Sequence, residues 1–249
     1  MELGEIVQRY AEAFAQVDAR TGSRRANART GEMYQPGLAS LGEQRAWYEA
    51  DAMWETLHPG ELLEPRGTRL SVAYPRLDRA KCDHVFSTSP GVQPEWAIEG
   101  KFISFVGNNG NNNDYGVGKM LSPYLKDRGV LHDAARLRDS NFSRRVAVVA
   151  YAFNYDSDTC DASAWLHPFQ ENVVMNIRKV ISKNGTALHA RPIIDLLDAI
   201  LGLRGFLRGP RVEQDFDAWR NPAGGRGTVF GWEIRRPHLE TDYDPRHPW

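Results

Sequence analysis

An apolar run of eight residues, from Val146 to Phe153, sets the strongest limit on the fold of this chain. The run is far shorter than the roughly 20 apolar residues that a membrane-spanning helix needs. Short runs rich in valine are typical of a strand that is buried on both faces, in a sheet covered by helices. The run therefore predicts an α/β fold with a sheet at its centre.

Patterns on both sides of this run give the order of the elements. Apolar stripes predict helices over 6–17, 41–57, 119–138, 162–183 and 192–207, the third broken near Pro123 and Gly129 and the last opened by Pro192. Strand-like runs lie at 69–74, 81–88, 96–106, 145–153 and 228–235. The first three strands favour an antiparallel meander. We expect one domain over 1–249, with a mixed central sheet flanked by helices.

The composition excludes several classes of protein. Hydrophobic residues make up 41% and charged residues 25%, which argues against disordered, collagen-like and coiled-coil chains. Two cysteines, Cys82 and Cys160, are too few for a disulfide framework, and no four-ligand Cys/His set surrounds either of them. The N-terminus has no basic segment followed by an apolar stretch, so we expect a cytoplasmic protein without a membrane partner.

The charge distribution favours local rather than global binding of polyanions. The net charge is −1 and the pI about 6.7, unlike the strongly basic proteins that coat nucleic acids. Two segments, 20–29 and 203–211, contain four and three arginines and no acid. Arginine suits phosphate oxygens and guanine edges, although loop arginines are also often merely solvated. The candidate DNA contacts in these segments are Arg24, Arg25, Arg29, Arg204 and Arg208.

Charged residues also lie inside the predicted meander, among apolar neighbours. Asp83 comes early in one predicted strand, and Glu99-Gly100-Lys101 lies in the middle of the next. Strand alternation places Glu99 and Lys101 on one face of the sheet. Burying two carboxylates and an ammonium group is costly unless they hold a cation or each other. The pattern favours a Mg²⁺ site with a lysine beside it, and the alternative is a salt bridge at a sheet edge.

Two further segments bear on phosphate binding. Gly116-Val117-Gly118-Lys119 is not a phosphate-binding loop, because residue 113 is Asn instead of Gly and residue 120 is Met instead of Ser or Thr. Lys119 at a helix start can still contact a backbone phosphate. The polar loop over 107–114, which includes Asn109, follows the strand of Lys101 directly. This loop is suited to enter a DNA groove, or it is an ordinary surface loop.

The order of these residues resembles the PD-(D/E)XK nuclease superfamily. The resemblance rests on Asp83, a turn and Glu99-x-Lys101, with a glutamate-bearing helix before them and a helix and buried strand after them, over 41–153. It implies a restriction-endonuclease-like core. Cys82 stands where the family pattern often has proline, so the choice of Asp83 over Asp78 depends on strand placement.

The resemblance also implies a role for each residue. In the family an aspartate and a glutamate bind Mg²⁺, the carbonyl between Glu and Lys often adds a ligand, and the lysine assists the nucleophilic water. These roles would fall here to Asp83, Glu99, the Gly100 carbonyl and Lys101. Mn²⁺ is expected to substitute for Mg²⁺.

Many members of the family add a glutamate from the helix before the meander. Glu49 is the first candidate here, and Glu43 is the second. The alternative is that Glu49 faces solvent and that Glu43 is a first-turn acid favoured by the helix dipole.

The resemblance implies a Mg²⁺-dependent type II restriction endonuclease, which hydrolyses phosphodiester bonds of double-stranded DNA at a specific sequence. Because one site per strand cuts a duplex most easily, we expect a homodimer, with a companion methyltransferase as a further partner. The alternatives are a structure-directed repair or recombination nuclease and a catalytically silent DNA-binding module of the same fold. Presence of the complete Asp, Glu and Lys set argues against the silent module.

Overall fold

The computed structural model describes most of the chain. The described residues are 1–22, 26, 28, 29, 31, 33, 36–64, 69–75, 80–88, 93–107, 110–141, 143–156, 171–184, 187–218 and 226–235. Several sequence predictions fall outside them: Arg24, Arg25, Asp78, Asn109, Cys160 and the first part, 162–170, of the helix predicted over 162–183.

The described residues form six α-helices and eight strands. The helices are α1 (Leu3–Arg20), α2 (Glu43–Leu57), α3 (Asp114–Met120), α4 (Val130–Asp139), α5 (Glu171–Asn184) and α6 (Ala190–Leu203). The strands are β1 (Leu70–Ala73), β2 (Lys81–Phe86), β3 (Trp96–Ile103), β4 (Arg145–Phe153), β5 (Tyr155–Asp156), β6 (Ala187–Leu188), β7 (Val212–Asp217) and β8 (Arg226–Glu233).

Six of the strands form one mixed sheet in the order β1-β2-β3-β4-β8-β7. β3 and β4 run parallel, with Glu99 opposite Val148 and Lys101 opposite Ala150, whereas the other neighbours are antiparallel. β5 and β6 pair separately. The predicted α/β class, with a mixed sheet flanked by helices, is therefore confirmed, as is the antiparallel meander β1-β2-β3.

β4 lies in the interior of the sheet, between β3 and β8. It has the predicted bounds, and every residue after Arg145 is buried. Its neighbour β3 is also almost wholly buried, although it carries Glu99 and Lys101. Glu99 and Lys101 therefore lie in a water-poor environment, between strands and helices that cover both faces of β3. A buried charge is costly there unless it has a partner of opposite charge.

Helices α2 and α4 cover opposite faces of the sheet at β3. A Cβ atom at Gly100 would lie 2.5 Å from the ring of Trp47 on α2, so this position faces α2. The neighbouring residues Glu99 and Lys101 contact side chains of α4. Since successive strand residues point to opposite faces, β3 is enclosed between the two helices.

The first two helices pack together through aromatic rings. Tyr10 of α1 makes edge-on contacts with Trp47 and Trp54 of α2, with ring centroids 4.9 Å apart in both cases. Phe14 reaches Tyr151 on β4 at 4.4 Å. These contacts fix α2 against the sheet, and they thereby fix the position of Glu43 in the first turn of α2. No helix in the described part of the chain is long and apolar enough to cross a membrane.

The structure corrects some of the element predictions. Helix α6 begins at Ala190, which makes Pro192 its third residue rather than its first. Lys119 lies in the last turn of α3 and not at a helix start. β7 was not predicted, because it is an edge strand whose pattern of exposure hides the alternation of apolar residues.

Candidate functional site

Adjacent strands bring the predicted site residues together. Asp83 lies on β2 and the segment Glu99–Lys101 on β3, and the two strands pair antiparallel. The backbone N–H of Gly100 donates a hydrogen bond to Asp83 Oδ2 over 2.9 Å. The half-buried Asp83 carboxylate therefore lies against the peptide between the other two charged residues.

Glu99 is buried and is held through one of its oxygens. Its Oε1 accepts hydrogen bonds from the Tyr74 hydroxyl at 2.5 Å and from Arg136 Nη2 at 2.6 Å. The Arg136 guanidinium also lies over the Tyr74 ring, 4.9 Å from its centroid. Within the described residues both donors meet Oε1, which leaves Oε2 for a further ligand.

Lys101 is also buried and lies between two carboxylates. Its Nζ is 2.7 Å from Oδ2 of Asp133, a buried residue of α4, and 3.6 Å from Oε1 of Glu43 in the first turn of α2. The other oxygen of Glu43 accepts the backbone N–H of Phe102 at 2.9 Å. Glu43 therefore joins the helix to β3 directly beside Lys101.

Glu49, the first candidate for the helix carboxylate, points elsewhere. Its Oε1 pairs with Arg45 at 2.5 Å, one turn earlier on α2. Glu49 follows Glu43 by six residues, which at about 100° per residue places it roughly 120° away around the helix. The structure thus places the second candidate, Glu43, beside Lys101, and the first candidate, Glu49, beside Arg45.

The crowded carboxylates alter the proton affinities of the site. Burial, together with the charges of Asp133 and Asp83, raises the pKa of Glu99 well above its usual range. Burial also raises the pKa of Glu43, against the opposing charge of Lys101. For Lys101 burial lowers the pKa, but the carboxylates of Asp133 and Glu43 outweigh burial and hold the pKa above its ordinary value. Lys101 therefore remains a cation at neutral pH.

The charges of this cluster fit a divalent cation. Its carboxylates are Glu43, Asp83, Glu99 and Asp133, and its cations are Lys101 and Arg136. With every group ionised the net charge is −2, which one divalent ion balances. In the described ranges no group of three or more His, Cys, Asp or Glu side chains is placed so that it could hold a metal ion. Mg²⁺ does not need such a group, because it binds through one or two carboxylates and keeps several waters. The oxygens of Asp83 and Glu99 are suitable donors for it.

A cavity of about 160 Å³ opens beside the cluster. Both Asp83 and Glu43 line it, together with Gln44, Trp47, Tyr48, Leu70, Ser71 and His84. Pockets for organic ligands are larger, about 300–1,000 Å³, so this cavity suits a hydrated ion rather than a whole nucleotide. Larger cavities of about 540 and 480 Å³ lie elsewhere, between α1 and β7 and beside α3, and neither is lined by residues of the cluster.

A second buried network supports the cluster from the α2 side. Asp51 of α2 accepts the Tyr10 hydroxyl at 3.0 Å and contacts His84 Nδ1 at 3.0 Å. Burial lowers the pKa of His84, but Asp51 outweighs burial and raises it. His84 neighbours Asp83 on β2, and its ring is buried against α1 and α2. The network therefore anchors the strand that carries Asp83.

The arginines proposed as DNA contacts have different surroundings. Arg29 and Arg204 are exposed, the second at the end of α6. Arg208 is instead held by Asp198 of α6, whose Oδ1 accepts its Nε at 2.7 Å. An arginine that a carboxylate holds in this way is less suited to bind phosphate.

Lys119 is half-buried in the last turn of α3. It lines the cavity of about 480 Å³ together with the exposed Tyr115 and Tyr124. A lysine at the C-terminal end of a helix does not share a phosphate site with helix N–H groups, which was the basis of the prediction.

Sequence analysis did not identify two residues of the cluster, Asp133 and Arg136, or Tyr74, which donates to Glu99. Asp133 interrupts a buried stripe of α4 that contains Val130, Ala134 and Leu137. A charged residue within an apolar stripe is a signal that sequence inspection can detect. The contacts of Tyr74 depend on how the end of β1 approaches β3, which no local pattern reveals.

Comparison with known proteins gives no assignment of this chain. No protein-family model matches it, and neither a curated protein nor a solved structure matches it. The geometry of the site therefore carries the functional proposal.

Proposed function

We propose that this chain is a Mg²⁺-dependent DNA endonuclease of the PD-(D/E)XK type, and specifically a type II restriction enzyme. The observation that carries the proposal is the meeting of Asp83, Glu99 and Lys101 on two adjacent strands, with Glu43 of α2 beside the lysine. The chain order of α2, the meander, α4 and the parallel strand β4 agrees with the restriction-endonuclease-like core that the sequence resembles.

Asp83 and Glu99 would hold Mg²⁺, or Mn²⁺ in its place, with Glu99 binding through Oε2. The Gly100 carbonyl would be a third protein ligand. A metal ion bound there would polarise the phosphate and make an attacking water more acidic.

The side chains around the metal ligands have separate tasks in this proposal. Lys101 is held as a cation, so it does not accept a proton; it stabilises negative charge on the attacking oxygen and on the phosphate in the transition state. Glu43 has a raised pKa and lines the cavity with Asp83, which suits it to accept the proton of the water. Together they support in-line hydrolysis of a phosphodiester.

The choice of double-stranded DNA rests on the resemblance and on the exposed arginines. The small cavity admits a hydrated ion and a phosphate oxygen, so the rest of the substrate would lie on the surface outside it. Arg29 and Arg204 are exposed candidates for such contact. We further propose that two copies assemble on the duplex, with one site per strand, and that a companion methyltransferase protects the host sequence.

The decisive experiment is digestion of long unmethylated DNA by the purified protein with Mg²⁺, in parallel with EDTA. Asp83→Ala and Lys101→Ala should abolish cleavage while the circular dichroism spectrum stays that of a folded protein. The matched controls are Asp139→Ala and Lys179→Ala, which replace exposed residues of α4 and α5. They should cleave like the parent protein.

Each outcome leads to a different conclusion. Discrete fragments that vanish with EDTA and in both site variants support a restriction enzyme. A smear, or preference for branched DNA, favours the structure-directed nuclease. Metal-independent DNA binding without cleavage under Mg²⁺ or Mn²⁺ contradicts the proposal and favours the silent binding module. Unfolding of both site variants favours a structural salt bridge.

A further inference from the structure

We infer that Asp133 and Arg136 of α4 are positioning residues, which keep Glu99 and Lys101 from pairing with each other. The inference rests on the proposed function. Glu99 and Lys101 are two residues apart on one strand. In the proposed function Glu99 must be free to bind the metal, and Lys101 must be free to stabilise the attacking oxygen. The resemblance that suggested the site assigns no role to either residue of α4.

The four residues form a continuous chain of ion pairs. Arg136 Nη2 lies 2.6 Å from Glu99 Oε1 and 3.0 Å from Asp133 Oδ1, and Asp133 Oδ2 lies 2.7 Å from Lys101 Nζ. Each charge of β3 therefore has an opposite charge from α4 as its partner. Asp133 and Arg136 are three residues apart, which places them side by side on the helix.

Without α4, the charges of β3 would attract each other directly. Glu99 and Lys101 project from the same face with Cα atoms about 7 Å apart, a distance that a lysine side chain spans easily. They are only 1% and 8% exposed, so water screens their attraction weakly. A direct pair would place the ammonium on the carboxylate that the metal needs. Separate partners on α4 prevent this pairing.

The buried position of α4 keeps its charged residues beside Glu99 and Lys101. Val130, Ala134 and Leu137 are buried on this helix, and Asp133 is itself only 2% exposed. The Tyr74 hydroxyl adds a second donor to Glu99 Oε1. The carboxylate is thus fixed at one oxygen by Tyr74 and Arg136, and Oε2 is the oxygen that would bind the metal.

The test compares metal binding and catalysis in Asp133→Asn and Arg136→Met. Calorimetric titration with Mn²⁺ alone measures metal affinity without DNA, and steady-state cleavage of DNA with Mg²⁺ gives kcat and KM. The controls are Asp139→Asn and Arg138→Met, which remove an exposed ion pair from the same helix.

The two variants should change metal affinity in opposite directions. In Asp133→Asn Lys101 loses its nearer partner and keeps only Glu43, at 3.6 Å, so it turns to Glu99 and competes with the metal, and Mn²⁺ binding weakens about fivefold or more. In Arg136→Met, Asp133 still holds Lys101 away from Glu99, and a positive charge leaves the metal ligand, so Mn²⁺ binding strengthens, by about threefold. In both variants kcat falls about tenfold or more while KM for DNA changes less than about twofold, because alignment rather than substrate binding is lost.

A purely structural role predicts a different result. If both variants weaken Mn²⁺ binding equally, or if both lose the folded spectrum, the inference is overturned. If only Asp133→Asn fails to fold, Arg136→Met alone decides through the sign of its affinity change. Cleavage by both variants at the parent rate overturns the inference and leaves the proposed nuclease intact. If the parent protein neither binds Mn²⁺ nor cleaves, the proposed function itself fails.

Discussion

The indole ring of Trp47 lies directly on Gly100, so closely that a Cβ atom at residue 100 would come within 2.5 Å of it. Gly100 also donates its N–H to Asp83. The absence of a side chain therefore lets α2 approach the strand that carries Glu99 and Lys101. The same approach brings Glu43, at the start of α2, to Lys101.

Gly100→Ala should therefore destabilise the protein and disturb the site. Overpacking of a buried contact costs about 1–3 kcal/mol. In a domain of this size each kcal/mol lowers Tm by about 2–4 °C. Thermal unfolding followed by circular dichroism measures the change. Gly4→Ala is the control, because its added methyl group meets nothing within 4 Å on α1 and favours the helix. An unchanged Tm for Gly100→Ala would contradict the packing of Trp47 on this strand.

The two glutamates of α2 provide a matched pair of variants. Glu43→Gln should lower kcat for DNA cleavage by about tenfold or more, because Glu43 borders both Lys101 and the cavity of Asp83. Glu49→Gln makes the same chemical change on the same helix, but Glu49 pairs with Arg45. It should leave kcat unchanged. If instead Glu49→Gln lowers kcat and Glu43→Gln leaves it unchanged, Glu49 is the carboxylate that α2 adds to the site.

Asp51 should contribute to stability rather than to chemistry. It is buried and bonded to Tyr10 and His84. Asp51→Asn removes a buried charge from a network that depends on it, so we expect a loss of about 2–4 kcal/mol. Chemical denaturation measures this loss, and cleavage is assayed at low temperature, where the variant stays folded.

The control for Asp51 is Asp195→Asn, in an exposed pair with Arg211. Its effect should be below about 1 kcal/mol. Loss of cleavage in folded Asp51→Asn, with unchanged stability, would instead place this network within the catalytic site.

The strands of the site could be predicted from the sequence because apolar runs mark them directly. β4 has the predicted bounds, and Glu99 and Lys101 lie in the strand where alternation placed them. The register of the parallel pairing between β3 and β4 could not be predicted from the sequence. It depends on the path of the chain through α3 and α4, which connect the two strands.

The partners of the site residues were harder to predict. Six residues, or about 120° around the helix, separate Glu43 from Glu49, and only the angle at which α2 meets β3 decides between them. Asp133 and Arg136 lie more than 30 residues after their partners Lys101 and Glu99 in sequence. Ion pairs between residues so far apart in sequence produce no periodic pattern. Only Asp133, a charged residue within the buried stripe of α4, gives a signal that the sequence shows.

Asp198 should make the acid stability of the protein depend on one ion pair. Its Oδ1 accepts Arg208 Nε at 2.7 Å and Trp232 Nε1 at 2.8 Å, which ties α6 to β8. The hydrogen bond from Arg208 lowers the pKa of Asp198 below its usual value. A carboxylate with a lowered folded-state pKa stabilises the fold above its unfolded pKa, about 3.9, and this stability is lost as pH falls through the folded pKa.

Asp198→Asn should therefore reduce the free energy of unfolding at neutral pH and flatten its decline in acid, as measured by urea denaturation from pH 7 to pH 3. Arg208→Met removes the other partner and should give the same flattening. The double variant should add little to either change, because one interaction is lost in all three proteins. If Arg208→Met leaves stability unchanged but weakens DNA binding, the arginine is a DNA contact, as its arginine-rich segment suggests, and not a structural partner of Asp198.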